Sequence, residues 1–261
     1  MSVEIEGVGF TDRGMVRERN EDAFLVENDL NLYVVADGMG GAAAGEVASR
    51  IFVSSAEEVF LTGVRQGKSP RDLVEAAFHH AQQRMLEHVE EFPEHEGMGC
   101  TGEVLTFDSG RFYLGHVGDS RTYIWRNEEL RLLTIDHSLV QKHIDEGLIT
   151  KEEGEYYRFR NVLYRAVGQE EKLEVDLISE TVSDGDVFLL CSDGLLKEVP
   201  EAEISQYLMM DAGLGEIGKG LVNLARERGG RDNITVVLCK VSFPKDTDKK
   251  SLWRRLIRGK N

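Results

Sequence analysis

Short apolar runs with the period of β-strands recur along the whole chain. Alternating polar and apolar residues predict a strand over 3–11, and apolar runs predict two more at 23–26 and 32–36. The stretch DSG at 108–110 is typical of a hairpin turn. The remaining predicted strands are GEVLTF, RFYLGHVG and RTYIWR, followed by residues 173–180, 186–191 and 234–241.

Segments with apolar residues at helical spacing lie between groups of these strands. Residues 42–61 are rich in helix formers, and Ser69 followed by Pro70 is typical of the N-cap and first residue of a second long helix. Shorter helices are predicted after Asp136 as a cap, after the capping box of Thr150 and Glu153, and near 201–210 and 214–228. The polar segment 154–172 is predicted to be a mobile loop.

The order of these elements indicates the fold class. Strands, two long helices, strands, short helices, strands, two helices and a last strand follow one another, without the strict strand–helix alternation of a parallel sheet. Antiparallel sheets with helices packed outside them fit this order. We therefore predict an α+β layered sandwich.

Composition narrows the class of protein further. The chain has 261 residues, 41% of them hydrophobic, which is enough for a substantial core. Its formal charge of −16 disfavours binding to nucleic acid, whose phosphates need basic surfaces. The cysteines form no CxxC pair, and the sequence has neither a signal-peptide pattern nor a membrane-spanning apolar stretch. We therefore expect a cytoplasmic protein.

The C-terminal residues 244–261 differ from the rest, which predicts a main domain over 1–243 and a separate tail. This tail has seven Lys or Arg residues against two Asp. Apolar residues at helical spacing stand beside three arginines: Leu252, Trp253, Leu256 and Ile257 beside Arg254, Arg255 and Arg258. A basic amphipathic segment suits weak contact with an anionic membrane or an acidic partner, and a purely solubilising tail is an equally open alternative.

Four aspartates stand at the mouths of apolar strand-like runs. Asp37, Asp119 and Asp193 close such runs, and Asp232 opens one. In an antiparallel sheet the end of one strand lies beside the start of its neighbour, so the four carboxylates are expected to gather at one edge. Carboxylates crowded in this way repel one another unless a cation is present, and hard cations such as Mg²⁺ or Mn²⁺ prefer oxygen ligands. The pattern indicates metal-assisted hydrolysis.

Five short motifs occur in a fixed order around these acids. They are RNED preceded by Arg17, ADGMGG, GDSR, SDGL and RDN. Any one of them alone is an ordinary turn or cap sequence. Together and in this order they resemble the metal-dependent phosphatases of the protein phosphatase 2C family, most of all its compact bacterial Ser/Thr members, over residues 5–241.

That resemblance implies a fold, an activity and a metal centre. The fold is two antiparallel β-sheets sandwiched between pairs of α-helices, with 1–243 as the catalytic domain. The activity is hydrolysis of phosphoserine and phosphothreonine in proteins with two Mn²⁺ or Mg²⁺ ions per chain. Asp37 resembles the aspartate that bridges the two metals, the Gly38 carbonyl resembles a second ligand, and Asp193 and Asp232 match carboxylates on one metal.

Further positions resemble residues around this centre. Glu21 and Asp22 match acids that hold metal-bound water, and Asp119 resembles a ligand of a third, weaker metal. Arg17 matches the arginine that grips the substrate phosphate, which suits its planar, two-pronged guanidinium. Thr101 matches a small hydroxyl residue near the site.

Two features of the sequence depart from the family pattern. Met39 stands where some eukaryotic members have a histidine that protonates the leaving group, so water or another residue must do so. The segment EYYRFRNVLYRAVG has tyrosines where many bacterial relatives have His-Pro, which affects substrate choice.

The sequence around Asp193 suggests no basic partner, so we expect a metal alone to compensate its charge.

The resemblance also implies partners, and one alternative function stays open. Phosphoproteins and a cognate Ser/Thr kinase are the expected partners of a monomeric enzyme. The alternative is a catalytically silent module that binds phosphoproteins with the same fold, although such a module has no need for every metal acid and Arg17. The seven histidines form no metal-ligand pattern, so we interpret them as structural or exposed.

Overall fold

Two antiparallel sheets lie face to face in the computed structural model, which describes residues 3–40, 44–169 and 172–244. One sheet has the strand order β1-β11-β10-β7-β8, and the other has β2-β3-β5-β6-β9 with the short β4 beside β3. The strands are β1 (Glu4–Asp12), β2 (Asp22–Glu27), β3 (Leu32–Met39), β4 (Gly99–Cys100), β5 (Gly102–Asp108), β6 (Arg111–Val117), β7 (Arg121–Arg126), β8 (Glu129–Leu132), β9 (Asp176–Thr181), β10 (Val187–Cys191) and β11 (Ile234–Ser242).

Helices cover the outer faces of both sheets. The long pair α1 and α2 packs against the sheet that contains β3, and the pair α6 and α7 packs against the sheet that contains β11. The helices are α1 (Ala44–Arg65), α2 (Pro70–Glu91), α3 (Leu139–Asp145), α4 (Lys151–Glu155), α5 (Asp193–Leu196), α6 (Glu201–Leu208) and α7 (Leu214–Glu227). The predicted α+β sandwich of two antiparallel sheets between helix pairs is confirmed.

Strand periodicity divides the core into three layers. In β3, Leu32, Val34 and Ala36 face α1 and α2, while Tyr33 and Val35 point into the layer between the sheets. β11 alternates in the same way, with its even-numbered residues from Ile234 to Leu238 toward α7 and its odd-numbered residues Val237, Cys239 and Val241 between the sheets. Because both faces are covered, the central strands are apolar at almost every position.

The sequence-predicted elements are present, with small shifts at their ends. Ser69 caps α2 by accepting a hydrogen bond from the Asp72 amide, and Thr150 and Glu153 form the predicted capping box of α4. The short elements β4, β8 and α5 were not predicted. They are two to four residues long, so they are too short to show a period.

The predicted cap at Asp136 is wrong. Ser138 caps α3, because its hydroxyl accepts a hydrogen bond from the Gln141 amide. Asp136 instead accepts two hydrogen bonds from Arg121, each 2.8 Å long. A bidentate pair with arginine is stronger than a hydrogen bond to one amide, and a serine two residues later is an equally good cap.

The first two residues of the loop predicted at 154–172 belong to α4, and residues 156–169 are irregular. Isolated bridges join Leu163 to Ser138 and Val167 to Cys100. The second bridge places the end of this loop beside β4 and β3. The predicted amphipathic tail lies outside the described residues except for Pro244. Within the described residues, no helix is long and apolar enough to cross a membrane.

Candidate active site

The carboxyl end of β3 and the start of β2 place two acids opposite each other. Asp22 pairs with Asp37 in the antiparallel register of β2 and β3. Thr101 fixes the Asp37 backbone, because the Asp37 amide donates to the Thr101 hydroxyl and the Thr101 amide donates to the Asp37 carbonyl, both at 2.9 Å. The Thr101 hydroxyl also lies 2.7 Å from that of Ser120. The hydroxyl position predicted near the site therefore holds the Asp37 strand end.

Asp22 connects the two sheets at the floor of the site. Its Oδ2 accepts hydrogen bonds from the hydroxyls of Ser192, at 2.7 Å, and Thr235, at 2.6 Å. Thr235 lies in β11 of the other sheet, and Ser192 directly follows β10 of that sheet. The opposite oxygen, Oδ1, is buried and has no hydrogen-bond partner. One oxygen of Asp22 is therefore fixed, and the other remains available to a ligand.

Close backbone packing explains the glycines at this floor. A Cβ on Gly38 would lie 2.0 Å from the Gly45 carbonyl oxygen, and one on Gly194 would lie 1.9 Å from the Asn233 carbonyl oxygen. The Gly38 amide also donates to the Glu21 carbonyl at 3.1 Å. The glycines of the ADG and SDG motifs therefore allow the acid-bearing segments to approach one another, which any side chain would prevent.

Asn233 joins the N-terminal acids to the last strand. Its Oδ1 accepts from the Glu21 amide at 2.8 Å, and its Nδ2 donates to the carbonyls of Arg13 and Arg19, both at 2.9 Å. Sequence reasoning gave Asn233 no role, although it belongs to the RDN motif. A polar residue that follows a candidate ligand and begins an apolar strand was the signal that could have indicated this anchor.

Asp193 and Asp232 share a cation that the sequence analysis missed. The Lys197 ammonium lies 2.5 Å from Asp193 Oδ2 and 2.6 Å from Asp232 Oδ2. The expectation that Asp193 has no basic partner is therefore wrong. Asp193 opens α5, so Lys197, four residues later, lies on the same side of this helical turn. The spacing i, i+4 in SDGLLK was the available signal.

Arg17 lies at the rim of the same group. Its Nη2 is 2.9 Å from the carboxylate oxygens of Asp232, and about half of its side chain is exposed, at 48%. The N-terminal loop that carries Arg17 is fixed behind it, because the Met15 amide donates to the Gly230 carbonyl at 2.7 Å. The guanidinium therefore reaches the cleft from an anchored loop.

One cleft of about 510 Å³ is lined by most of the charged groups described above. Asp22 is absent from its walls and lies beneath it. Asn161, Val162 and Leu163 bring the irregular loop into the cleft wall, and Met39 lies there too. The remaining lining residues include the predicted ones, Arg17, Glu21, Asp37, Gly38, Asp119, Asp193 and Asp232. The structure therefore brings together every predicted site residue, with Asp22 in the layer below.

The carboxylates in this cleft repel one another. Burial and then the charges of Asp22, Asp193 and Asp119 raise the pKa of Asp37 well above its ordinary value. Burial, together with the charge of Asp193, raises the pKa of Asp22 and of Asp119 to about 7. Burial also acts on Asp232, but hydrogen bonding to Lys197 and the Lys197 charge bring its pKa below the ordinary value. The site therefore lacks positive charge everywhere except near Lys197 and Arg17.

The donor set fits hard divalent cations. Asp22 Oδ1 and Asp193 Oδ1, which both belong to acids of this site, are buried oxygens without a hydrogen-bond partner. Buried polar atoms are normally satisfied, so two unpartnered carboxylate oxygens fit the role of ligands to a hard cation. Among the described residues, no three acidic, histidine or cysteine side chains are already closed around one point as a ligand set. Lys197 instead fills the gap between two of the acids.

A cleft floored by buried carboxylates and rimmed by an arginine, on a layered α+β sandwich, is typical of enzymes that hydrolyse phosphate esters. The family model described as Protein phosphatase 2C matches residues 15–232. The chain belongs to the protein phosphatase 2C family.

Similar proteins agree with this assignment. The serine/threonine phosphatase Stp of Listeria innocua is 35% identical over 233 residues, which are 87% of this chain and 92% of that protein. The crystal structure of the Mycobacterium tuberculosis serine/threonine phosphatase PstP matches with a TM-score of 0.85 at 35% identity, over 92% of this chain and 99% of that one. The PstP catalytic domain in complex with two manganese ions matches with a TM-score of 0.82 at 34% identity, over 93% and 100%.

The family and its solved members confirm the predicted activity class. The chain is a protein-serine/threonine phosphatase of the metal-dependent type. A silent phosphoprotein-binding module is not favoured, because relatives named as phosphatases match over most of the chain and every predicted catalytic and metal-binding residue is present at the site.

Proposed function

We propose that this phosphatase holds two Mn²⁺ or Mg²⁺ ions in the carboxylate cleft and hydrolyses phosphoserine and phosphothreonine in proteins. Asp37 and the Gly38 carbonyl would hold the ions together with Asp193 and Asp232. Asp119 would contribute to a third, weaker metal position. The observation that carries this proposal is the pair of buried, unpartnered carboxylate oxygens on Asp22 and Asp193.

Glu21 and Asp22 have supporting roles in this arrangement. Asp22 lies beneath the cleft with one oxygen fixed by Ser192 and Thr235, so it would hold water that hydrates the metals. Burial raises the pKa of Glu21, which also lines the cleft. When bound, the metals would activate a water as the nucleophile and offset phosphoryl charge.

Arg17 is proposed to bind the phosphoryl group. Its guanidinium reaches the cleft rim and is charged at every physiological pH, and its fork suits two phosphoryl oxygens at once. Its contact with Asp232 orients it before the substrate arrives. Met39 lies in the cleft wall and has no proton to give, so the leaving alkoxide takes its proton from water or from another residue.

The proposal also covers the substrates, the location and the domain organisation of the enzyme. Phosphoproteins produced by a cognate Ser/Thr kinase are the proposed substrates, and the enzyme is proposed to act as a cytoplasmic monomer without nucleic acid. Residues 1–243 are proposed as the catalytic domain. The tail 244–261 is proposed to make weak contact with an anionic membrane or an acidic partner, as its sequence predicts.

A metal-dependence experiment tests the central claim. Turnover of p-nitrophenyl phosphate and of a phosphothreonine peptide is measured after chelation and after addition of Mn²⁺ or Mg²⁺. We expect activity only with metal, and a loss of about a hundredfold or more in Asp37→Asn. Asp211→Asn, an exposed aspartate in the turn after α6, is the matched control and should behave as wild type. Full activity after complete chelation would contradict the proposal.

A further inference from the structure

Lys197 lies between two of the proposed metal ligands, Asp193 and Asp232. Its ammonium lies 2.5 Å from Asp193 Oδ2 and 2.6 Å from Asp232 Oδ2. A lysine ammonium is a compact cation with three donors, so it offers both acids the charge and contacts that a metal would offer. Asp193 Oδ1 remains without a hydrogen-bond partner, so this compensation is incomplete.

The backbone of Lys197 is fixed while its side chain has room to move. The Lys197 amide donates to the Asp193 carbonyl at 2.9 Å, and Arg231 donates to the Lys197 carbonyl at 2.6 Å. The side chain is 31% exposed. It borders both the metal cleft and a neighbouring cleft of about 810 Å³, which Asp136 and Glu155 also line. The walls of that cleft also carry Arg121, Arg160 and Arg231, so a displaced ammonium has open space there beside both acids and arginines.

We propose that Lys197 is an internal counter-ion that competes with metal for Asp193 and Asp232. In the metal-free enzyme its ammonium holds the two acids together. Metal binding displaces the ammonium, still protonated, into the neighbouring cleft. This inference rests on the proposed metal site, and it makes Lys197 a residue that sets metal affinity rather than a catalytic residue.

Competition has two consequences that a merely structural lysine would not have. Removing the ammonium removes the competitor, so metal binds more tightly. The metal-free protein is then less stable, because two crowded acids lose their cation. The metal-saturated protein is little changed, because Lys197 has already left the acids. Stabilisation by metal therefore increases, as linkage requires for a ligand that binds more tightly.

The test compares Lys197→Met with wild type and with Lys197→Gln. Full-length proteins are stripped of metal, and Mn²⁺ binding is measured by calorimetry and by the melting temperature at increasing Mn²⁺. We expect a Kd for Mn²⁺ at least tenfold lower in both variants, with a lower metal-free melting temperature. Lys219→Met, an exposed lysine on α7, is the matched control and should bind Mn²⁺ as wild type does.

The outcomes separate this inference from the proposed function. An unchanged or higher Kd in both variants, with wild type binding Mn²⁺, overturns the role of Lys197 and leaves the metal site intact. Absence of Mn²⁺ binding by wild type overturns both. If Lys197→Met does not fold without metal, Lys197→Gln decides the question, because its amide keeps a neutral donor at that position.

Discussion

Asp22 and Asp37 face each other across neighbouring strands, and only one of them is bonded to the opposite sheet. Their positions in β2 and β3 are paired in register. Asp22 is held through Oδ2 by Ser192 and Thr235, while Asp37 is fixed through its backbone by Thr101. The first carboxylate therefore joins the two layers of the sandwich, and the second is presented to the cleft.

We expect Thr235→Val to weaken metal binding and to cost about 1–3 kcal/mol of stability, because its buried hydroxyl also lies 2.8 Å from the Thr11 hydroxyl. The Thr235 hydroxyl, 2.6 Å from Asp22 Oδ2, orients a carboxylate that supports the metals. Loss of a group that positions a metal site typically costs about 10–100-fold in metal affinity or activity. The measurement is the Mn²⁺ concentration for half-maximal activity, with Thr106→Val in β5 as the control. Equal values for both variants would argue against this role.

Asp193→Asn should lose about a hundredfold or more in turnover of p-nitrophenyl phosphate, because a charged ligand becomes a neutral amide. Wild type should gain thermal stability on addition of Mn²⁺, and the variant should gain much less. Near-normal metal-dependent turnover would refute the proposed ligand role of Asp193.

The same variant also tests how charge is balanced without metal. Repulsion alone predicts that the metal-free amide variant is as stable as wild type or slightly more. The Lys197 contact changes this expectation, because the substitution also breaks an ion pair. We therefore expect no gain in metal-free stability. A clear rise in the metal-free melting temperature would show that repulsion outweighs the Lys197 contact.

The flap at about 150–170, which is irregular over 156–169, is predicted to control the choice of protein substrate rather than the chemistry. Tyr156 is 88% exposed and Phe159 is 45% exposed, and Asn161, two residues after Phe159, lies in the cleft wall. We expect the double variant Tyr156→Ala, Phe159→Ala to lose about tenfold in kcat/KM on a phosphopeptide, since exposed aromatic side chains commonly carry binding energy.

The same double variant should hydrolyse p-nitrophenyl phosphate normally. Tyr157 is left intact, because its hydroxyl lies 2.9 Å from His143 Nδ1 and anchors the loop to α3. Phe92→Ala, at the end of α2 and far along the chain from this loop, serves as the control. An equal loss on both substrates would indicate a role in chemistry.

The long periodic elements and the candidate ligands could be predicted from sequence, because both depend on local patterns. The spacing of apolar residues indicates strands and helices, and an acid next to a glycine at the end of a strand can be recognised from the sequence alone. The i, i+4 spacing indicates the pair of Asp193 and Lys197, but the contact of Lys197 with Asp232 could not be predicted in the same way. Asp232 and Lys197 are 35 residues apart, and their contact arises only when β11 packs beside β10.

Buried polar contacts were the other class of feature that the sequence did not reveal. Glu103 and His116 lie on adjacent strands and are both fully buried, with a short hydrogen bond between them. Each residue looks unremarkable in its own strand, since only the register of β5 with β6 pairs them. The interpretation of the histidines as structural or exposed agrees with the position of His116.

A pH effect on stability is expected from His137, whose ring lies against that of His116 with 4.6 Å between the ring centres. Burial, then the charges of His116 and Arg165, lower the pKa of His137 to about 4. The Gly118 amide donates to His137 Nδ1 at 3.0 Å, so protonation of that nitrogen would break this bond. The folded protein therefore keeps His137 neutral.

The sign of the effect follows from proton uptake. Between the unfolded pKa of about 6.5 and the folded value of about 4, the unfolded chain binds more protons, so this contribution to stability is complete above that range and is lost as pH falls through it. From pH 7 to pH 4.5 the loss is about 2 kcal/mol. The variant His137→Gln cannot titrate, and its amide has both an acceptor for Gly118 and a donor for Asp176. Urea denaturation of the metal-free proteins should show the wild type losing about 2 kcal/mol more than His137→Gln over this range, since other titrating groups are common to both. Parallel stability curves for the two proteins would contradict the lowered pKa.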